Sequence, residues 1–393
     1  MTYLILDDKT ECIGFYSNGD LLFGQEPTTG LDKTWKYTKF SNENTLFINL
    51  FCEGKDYDEV CPEHLRDRWV QLNTQAKSFI RSFIEAKVSL KENCFYDLVP
   101  RKFLIDFCDI KVQIIDYVAE NYQKPVDYEF RKDLSILLQN ISLQKIGFDE
   151  ELIKNNLHDQ KVKDFYQKYF NKDNYISYNQ FHSKTGRLTT EENSFPILNL
   201  SKELRGYIKP DGDFLLDIDY NAAEVRVFLA LSGYKQPIND IHEWNRVKFG
   251  YGDRKVAKNE FISWLYGKKN EKEKQFKEFY NSELVKNKYW DGKVVKNYYG
   301  KVIEADEFHS VNYIVQSTTA GMALRQAIKV NELLKGCESK IKMVIHDNIV
   351  IDMKKEEKHL IKQIVDTYNS TEFGKFKSSV KIGKTLGDMR KIL

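Results

Sequence analysis

The sequence predicts an α+β fold, in which a small N-terminal α/β domain precedes a larger part that mixes helices and strands. Helical spacing of apolar residues within 99–175, a buried-strand run in 214–218 and two apolar strands about a polar turn in 343–352 support this class. At roughly 100 to 200 residues per domain, the 393 residues allow about two to four domains.

Composition excludes several classes of protein. The chain is 41% hydrophobic and 30% charged, as in an ordinary folded protein and unlike a disordered or collagen-like one. No apolar run approaches the roughly 18 residues of a membrane span, and the first residues lack the basic segment of a signal peptide, so we expect a cytoplasmic protein without a membrane partner.

The six Cys residues contain no C-x-x-C pair, which favours reduced thiols. A net charge of +2 by itself indicates no polyanionic partner.

The first half of the chain divides into two regions. Residues 1–98 are acidic, with 11 basic and 16 acidic side chains, and an Asn-Gly turn signal at 17–20 predicts a β-hairpin. Residues 99–185 are mainly helical, because apolar residues recur at helical spacing on both sides of a break at Lys124-Pro125. This pattern is typical of an antiparallel helical arm.

A carboxylate follows the buried-strand run 214–218. Asp219 ends this run, and a helix is predicted over 222–231 with Glu224 in its first turn. A carboxylate at the end of a buried strand is unfavourable unless a cation offsets its charge. The alternative is an ordinary helix N-cap.

A second carboxylate lies in a predicted hairpin turn. His346, Asp347 and Asn348 separate two β-branched runs, although Asp and Asn are common in turns of any kind. Considered with Asp219, however, this pattern predicts two carboxylates that meet across one sheet. Such a pair suits two Mg²⁺ ions that serve an in-line phosphoryl displacement.

A third pattern is helical and basic. Arg254, Lys258, Ile262 and Tyr266 recur every four residues, so they share one slowly drifting helix face about 18 Å long. Two cations near the positive end of the helix dipole suit a triphosphate, and the ring at the other end suits a base. The surrounding residues 235–303 contain 16 basic and 9 acidic side chains. A solvated basic helix is the alternative.

Two weaker signals complete the set. Thr185-Gly186-Arg187-Leu188 is a Gly turn that presents one of only 12 Arg residues. Asn312 and Gln316 lie one helical turn apart, and such amides suit the acceptor atoms of a nucleic-acid minor groove. Either amide also suits a core hydrogen bond.

These residues, in this order, resemble the family A DNA polymerases. Motif A of that family is matched by 219–226, motif B by Arg254, Lys258 and Tyr266-Gly267, and motif C by His346-Asp347. The similar positions extend over residues 185–393 and include Asp240-Ile241-His242 and the closing 381–388.

The resemblance implies a right-hand polymerase fold, with an antiparallel palm sheet and helical fingers and thumb. It suggests a thumb-like region at 99–185, palm at 186–234 and 304–393, and reduced fingers at 235–303. The 35 positions that separate Asp219 from Arg254 are few, which favours the reduction of the fingers.

The resemblance also implies roles for individual residues. Asp219 and Asp347 would be catalytic and, with the Tyr220 carbonyl, would hold two Mg²⁺ ions, for which Mn²⁺ can substitute. The nucleotide-binding residues would be His242, Arg254, Lys258, Ile262, Tyr266 and Glu224, the last as a gate against a ribose 2′-hydroxyl. The DNA-binding residues would be Arg187, Asn312, Gln316 and His346.

The sequence departs from the family in three places. Ile262 occupies the position of an aromatic residue, and Asn348 replaces the acidic residue often found after His-Asp. Residues 1–98 are too few for the usual 3′-to-5′ exonuclease domain, and Asp7-Asp8 does not provide its Asp-x-Glu metal motif. We therefore predict a compact, phage-like enzyme without proofreading, in a bacterial or phage-infected cytosol.

The sequence is compatible with three functions. The first is a DNA polymerase whose partners are primer-template DNA and deoxynucleoside triphosphates. The second is a single-subunit RNA polymerase, against which Glu224 argues because a 2′-hydroxyl gate has no use there. The third is a catalytically silent primer-template binding module. The acidic residues 1–98 fit either a vestigial exonuclease-like scaffold or a domain that docks a replication partner.

Overall fold

Two compact units, Met1–Ile136 and Leu137–Leu393, make up the chain in the computed structural model. The residues described are 4–6, 14–23, 31–38, 40–90, 93–170, 172, 174–237, 239–267 and 271–392. The prediction about Asp7 and Asp8 falls outside these residues, so the absence of proofreading stays a prediction. No described helix combines the length and the apolar character needed to cross a bilayer.

The first unit combines short strands with long helices. Its strands are β1 (Leu4–Ile5), β2 (Gly14–Ser17), β3 (Asp20–Phe23), β4 (Lys33–Thr34) and β5 (Leu46–Phe47). Its helices are α1 (Tyr57–Val60), α2 (Glu63–Glu85), α3 (Phe95–Leu98), α4 (Arg101–Asn121) and the start of α5 (Tyr128–Ser142). Strands β1, β2 and β3 form an antiparallel sheet. The predicted hairpin is confirmed, because Asn18 and Gly19 both have a positive φ in the β2–β3 turn.

The apolar face of α4 packs inside the first unit. Its residues Phe103 and Phe107 contact rings of α2, with centroid distances of 5.0 Å from Phe103 to Phe79 and 6.0 Å from Phe107 to Trp69. These residues belong to one buried cluster that extends from Leu4 to Val118. The compact units therefore divide after Ile136 and not near residue 98, because helix α4 shares its core with the residues before it.

The second unit begins with short elements that support the sheet of the candidate site. After α5 come β6 (Gly147–Phe148), α6 (Glu150–Asn155), α7 (Gln160–Tyr169), β7 (Tyr178–Asn179), β8 (Thr189–Thr190), α8 (Lys202–Arg205) and β9 (Ile208–Lys209). The β7–β8 hairpin is anchored by Tyr178, whose hydroxyl donates to the Val344 carbonyl at 2.6 Å and accepts from the Val344 N–H at 3.1 Å.

The rest of the second unit contains both strands and helices. Its strands are β10 (Phe214–Tyr220), β11 (Val294–Lys296), β12 (Val302–Glu304), β13 (Lys340–Ile345), β14 (Asn348–Met353), β15 (Ser370–Thr371), β16 (Gly374–Lys375), β17 (Ser378–Gly383) and β18 (Arg390–Lys391). Its helices are α9 (Ala223–Leu231), α10 (Ile241–Lys248), α11 (Arg254–Leu265), α12 (Glu273–Phe279), α13 (Ser282–Tyr289), α14 (Glu307–Leu333) and α15 (Ile361–Asn369).

A five-stranded antiparallel sheet forms the centre of the second unit. The strand order is β13-β14-β10-β17-β18, so β10 is the middle strand. The strands predicted at 214–218 and within 343–352 are both confirmed. Their registers place Asp219 opposite Asn348 on one side and opposite Ser379 on the other.

Helices pack near this sheet in two groups. Helix α14 contacts α9 and α15, and it extends over 27 residues, as predicted for the segment that contains Asn312 and Gln316. Helices α10 to α13 surround an aromatic cluster in which Tyr280 is fully buried and donates to Asn245 Oδ1 at 2.7 Å. This cluster fixes the position of α11, because Phe261 and Trp264 of that helix are among its rings.

Candidate active site

Two neighbouring strands bring the predicted carboxylates to one edge of the sheet. Asp219 is the penultimate residue of β10, and Asp347 lies in the two-residue turn between β13 and β14. His346, the other turn residue, has a left-handed φ of 59°, which is uncommon for a residue with a side chain. The Tyr368 hydroxyl donates to the Asp347 carbonyl at 3.1 Å, and this hydrogen bond stabilises the turn.

Burial makes both carboxylates unusually hard to ionise. Together with the smaller effect of the nearby anions of Asp347 and Asp217, it raises the pKa of Asp219 to about 6. Burial likewise raises the pKa of Asp347 to about 6, where Glu224 adds to the effect. Among the described residues, no cationic side chain forms an ion pair with either group, although the Lys258 charge favours ionisation of both. The site therefore concentrates negative charge that a bound cation would neutralise.

Only the main chain of Tyr220 is available to a ligand at this edge of the sheet, because its side chain packs against Tyr368. Its ring stacks on that of Tyr368 with 4.4 Å between the centroids, and its hydroxyl donates to the Tyr368 carbonyl. Ala222, which follows closely, has φ 56° and ends the turn, so helix α9 begins at Ala223. Strain of this kind at a strand-to-helix turn is common beside functional sites.

A cavity of about 440 Å³ opens at this edge of the sheet. The predicted residues that line it are Arg187, Asp219, Tyr220, Glu224, His242, Arg254, Lys258, Ile262, His346 and Asp347. Tyr266, Asn312 and Gln316 do not belong to this lining. The structure thus joins four of the sequence patterns, from Arg187 to Asp347, in one concave surface.

Helix α11 provides the basic side of the cavity. Asp253 caps the helix by accepting from the N–H groups of Lys255 and Val256, so the helix starts at Arg254, as the predicted pattern requires. Lys258 lines the cavity one turn further on and forms no ion pair with any described residue. Its ammonium group is therefore available to an anion in the cavity.

Arg254 is paired with the carboxylate of Asp240. Its Nη2 and Nε atoms donate to the two oxygens of Asp240 at 2.6 Å and 3.1 Å. Asp240 also accepts from the Glu243 N–H at 2.9 Å and from Asn221 Nδ2 at 2.8 Å. Although burial raises its pKa, these hydrogen bonds hold the pKa of Asp240 well below the usual range. Asp240 thus ties α10, α11 and the turn after β10 together.

His242 is a neutral group at neutral pH. It is 4% exposed, and burial together with the neighbouring Lys258 lowers its pKa to about 4. Its Nδ1 atom has no hydrogen-bond partner among the described residues. His242 can therefore donate or accept a hydrogen bond in the cavity, but it adds no positive charge.

A chain of polar contacts leads from the cavity to helix α14. Arg187 Nη2 donates to Glu224 Oε1, and the Tyr266 hydroxyl lies 3.4 Å from both carboxylate oxygens of Glu224. Gln316 Nε2 donates to the Tyr266 hydroxyl at 3.3 Å. Tyr266 and Gln316 are therefore connected to the cavity through Glu224. Asn312 precedes Gln316 by one turn on the same helix and forms no side-chain hydrogen bond with these described residues.

Comparisons with known proteins identify the fold. No protein-family model and no curated protein matches the sequence. A solved structure that the chain resembles is the POL domain of Pol1 from M. smegmatis in complex with DNA primer-template and dNTP. The TM-score is 0.53 at 12% sequence identity, over 73% of this chain and 76% of that chain. The fold is that of a DNA polymerase domain.

The donor set of this site suits a hard divalent cation. No group of three or more His, Cys, Asp or Glu side chains within the described ranges could hold a metal ion alone. The site instead offers two carboxylates, Asp219 and Asp347, and the main chain of Tyr220. Mg²⁺ commonly binds in this way, through one or two carboxylates, with water and substrate phosphate completing its ligands.

Some residues around the site have contacts that the sequence analysis missed. Arg226 is fully buried and donates to the carbonyls of Asn221, Pro237 and Asn239, so it supports the turn after β10 from inside. Asp217 is also buried, two residues before Asp219. The alternation of side chains along a strand could have identified Asp217, because positions i and i+2 face the same side.

Proposed function

We propose that this protein is a template-directed DNA polymerase that adds deoxynucleotides to a primer 3′-hydroxyl and releases pyrophosphate. One observation carries the proposal: the carboxylates of Asp219 and Asp347 line the same cavity as Arg254 and Lys258 of helix α11. Acidic and basic groups in one cavity suit a nucleoside triphosphate that bridges them through metal ions. The polymerase-domain fold and the primer-template DNA and dNTP bound by Pol1 support the same conclusion.

The parts of the fold receive matching roles. The five-stranded sheet is the palm, α10 to α13 are the fingers, and the helical region 99–185 is thumb-like. Asp219, Asp347 and the Tyr220 carbonyl would hold two Mg²⁺ ions, or Mn²⁺ in their place. When bound, the metal ions supply charge neutralisation for the attacking and leaving oxygens.

The remaining residues position the substrates. Lys258 and Arg254 bind the triphosphate, and the neutral His242 adds a hydrogen bond to it. Ile262 and Tyr266 border the base and sugar, so that the nucleotide lies along α11. Arg187, Gln316, Asn312 and His346 contact the primer-template, and the hydrogen-bond chain through Glu224 keeps Arg187 in place. Orientation and charge stabilisation supply most of the catalysis in phosphoryl transfer.

Primer extension tests the proposed function. The purified protein is incubated with a primed oligonucleotide, Mg²⁺ and each deoxynucleotide separately, and we expect addition only of the nucleotide complementary to the template. Extension without regard to the template contradicts the proposal. Binding of the primer-template without extension would indicate the silent binding module, and equal use of ribonucleotides would indicate an RNA polymerase.

Glu224 should control the choice of sugar. Its carboxylate lines the cavity and is fixed by Arg187 and Tyr266, so a 2′-hydroxyl would have to displace it. We expect Glu224→Ala to raise the use of ribonucleotides relative to deoxynucleotides by about 10- to 100-fold, which corresponds to roughly 1.4–2.8 kcal/mol. The measurement is kcat/KM for both sugars.

Glu224→Gln provides the control for size in this experiment. It keeps the bulk of the side chain and one oxygen for Arg187, so its sugar discrimination should stay within a few-fold of the wild type. Unchanged discrimination in Glu224→Ala would locate the gate elsewhere, for example at Ile262.

A further inference from the structure

A chain of polar side chains, of which Asp217 is buried, runs across three strands beside the candidate metal site. Asp217 Oδ1 accepts a hydrogen bond from Asn348 Nδ2 at 2.5 Å, and Asp217 Oδ2 accepts from Lys381 Nζ at 3.2 Å. Asp217 lies on the middle strand β10, Asn348 on β14 and Lys381 on β17. Each carboxylate oxygen of Asp217 therefore has one donor, and these donors come from opposite sides of the strand.

The register places this chain next to Asp219. Asp217 and Asp219 are two residues apart on β10, so their side chains face the same side of the sheet. Asn348 is the residue directly opposite Asp219, and it immediately follows Asp347. Strand pairing and the turn therefore make Asn348 the neighbour of both proposed metal ligands.

Asp217 determines which way the Asn348 amide is turned. An ionised carboxylate only accepts hydrogen bonds, so the NH₂ group of the amide must face Asp217 and the carbonyl oxygen must face elsewhere. That oxygen, Oδ1, is buried and has no hydrogen-bond partner among the described residues. An unsatisfied buried carbonyl oxygen is unfavourable unless another donor or a cation binds it.

We propose that Asn348 Oδ1 is an additional, neutral oxygen ligand of the metal site, and that Asp217 is the positioning residue that directs it. This inference rests on the proposed function, because it requires a divalent cation at Asp219 and Asp347. Amide carbonyl oxygens are ordinary ligands of hard divalent cations. Lys381 completes the arrangement, since its ammonium group offsets the charge of Asp217. The remaining negative charge of the site is then that of Asp219 and Asp347.

Mn²⁺ binding to the full chain without DNA or nucleotide tests this proposal. Free Mn²⁺ is measured by electron paramagnetic resonance during a titration of the protein. We expect Asn348→Leu to weaken Mn²⁺ binding by about 10-fold or more, in the range usual for residues that support a metal site. The concentration of Mg²⁺ that gives half of the maximal extension rate should rise by a similar factor.

An exchange variant keeps the test decisive if Asn348→Leu folds poorly. In Asp217→Asn with Asn348→Asp, the hydrogen bond re-forms with the donor on β10, and an oxygen remains at position 348. We expect this double variant to bind Mn²⁺ at least as tightly as the wild type. Loss of binding by the folded double variant would overturn the proposal.

A merely structural role for the pair predicts a different result. In that case Asn348→Leu would lower the melting temperature while its Mn²⁺ affinity, measured well below that temperature, would stay equal to that of the wild type, and the proposal would be wrong. Asp219→Asn separates this outcome from failure of the proposed function. If Asp219→Asn also binds Mn²⁺ like the wild type, the metal site itself is refuted, and not only the contribution of Asn348.

Discussion

Replacement of either Asp219 or Asp347 by Asn is expected to reduce template-directed extension by on the order of 10³-fold or more. The amide has nearly the same size as the carboxylate, so the substitution removes the charge and leaves the packing intact. Both groups lie at the edge of one sheet and line the same cavity, so each should be required separately. The measurement is the single-turnover rate of nucleotide addition at saturating Mg²⁺.

The melting temperature of these Asn variants provides an internal control. We expect it to stay equal or rise, whereas the extension rate should fall. Burial raises the pKa of both Asp219 and Asp347 to about 6, so at pH 7 their ionised forms destabilise the folded state. This destabilisation is present above pH 6 and disappears as the pH falls towards the pKa of an unfolded carboxylate. In EDTA, the Asn variants should therefore melt at or above the wild-type temperature.

Asp366→Asn is the matched control for loss of a carboxylate. Asp366 forms an exposed ion pair with Lys375, which contributes little to stability. Its extension rate should equal that of the wild type. Inactive Asp219→Asn or Asp347→Asn variants that melt well below the wild type would indicate misfolding, and active ones would refute the assignment of the site.

Lys258→Ala should produce the second largest loss, with kcat/KM for the incoming nucleotide falling by about 10²-fold or more. Lys258 lines the same cavity as the two carboxylates, and its ammonium group forms no ion pair with a described residue. A triphosphate would be its natural partner. Because the charge should contribute both to binding and to the transition state, we expect KM to rise and kcat to fall. The measurement is steady-state incorporation over a range of nucleotide concentrations.

Lys255→Ala is the control on the same helix. Lys255 is an exposed residue in the first turn of α11 and does not line the cavity. Its removal changes the net charge by the same amount, so a general electrostatic effect on DNA binding should appear in both variants. Equal losses in Lys255→Ala and Lys258→Ala would contradict a specific contact between Lys258 and the triphosphate.

The site elements were predictable because local sequence patterns encode them. The apolar run before Asp219 and the two runs about Asp347 form strands, since alternating β-branched and aliphatic residues favour a buried sheet. Arg254 and Lys258 share a helix face because their spacing matches the helical repeat. The division into compact units after Ile136 could not be read in this way, because it depends on the contacts of α4 with distant residues.

By itself, the sequence determined which chemical groups the site contains and which type of element holds each of them. Only the tertiary structure decided which groups are free and which are already paired. Arg254 and Lys258 look equivalent in the sequence, yet Asp240 binds Arg254 and leaves Lys258 open. Asn348 looks like an ordinary turn residue until strand pairing places it between Asp217 and Asp219. Hydrogen bonds and charge interactions depend on distance in space, which local periodicity does not specify.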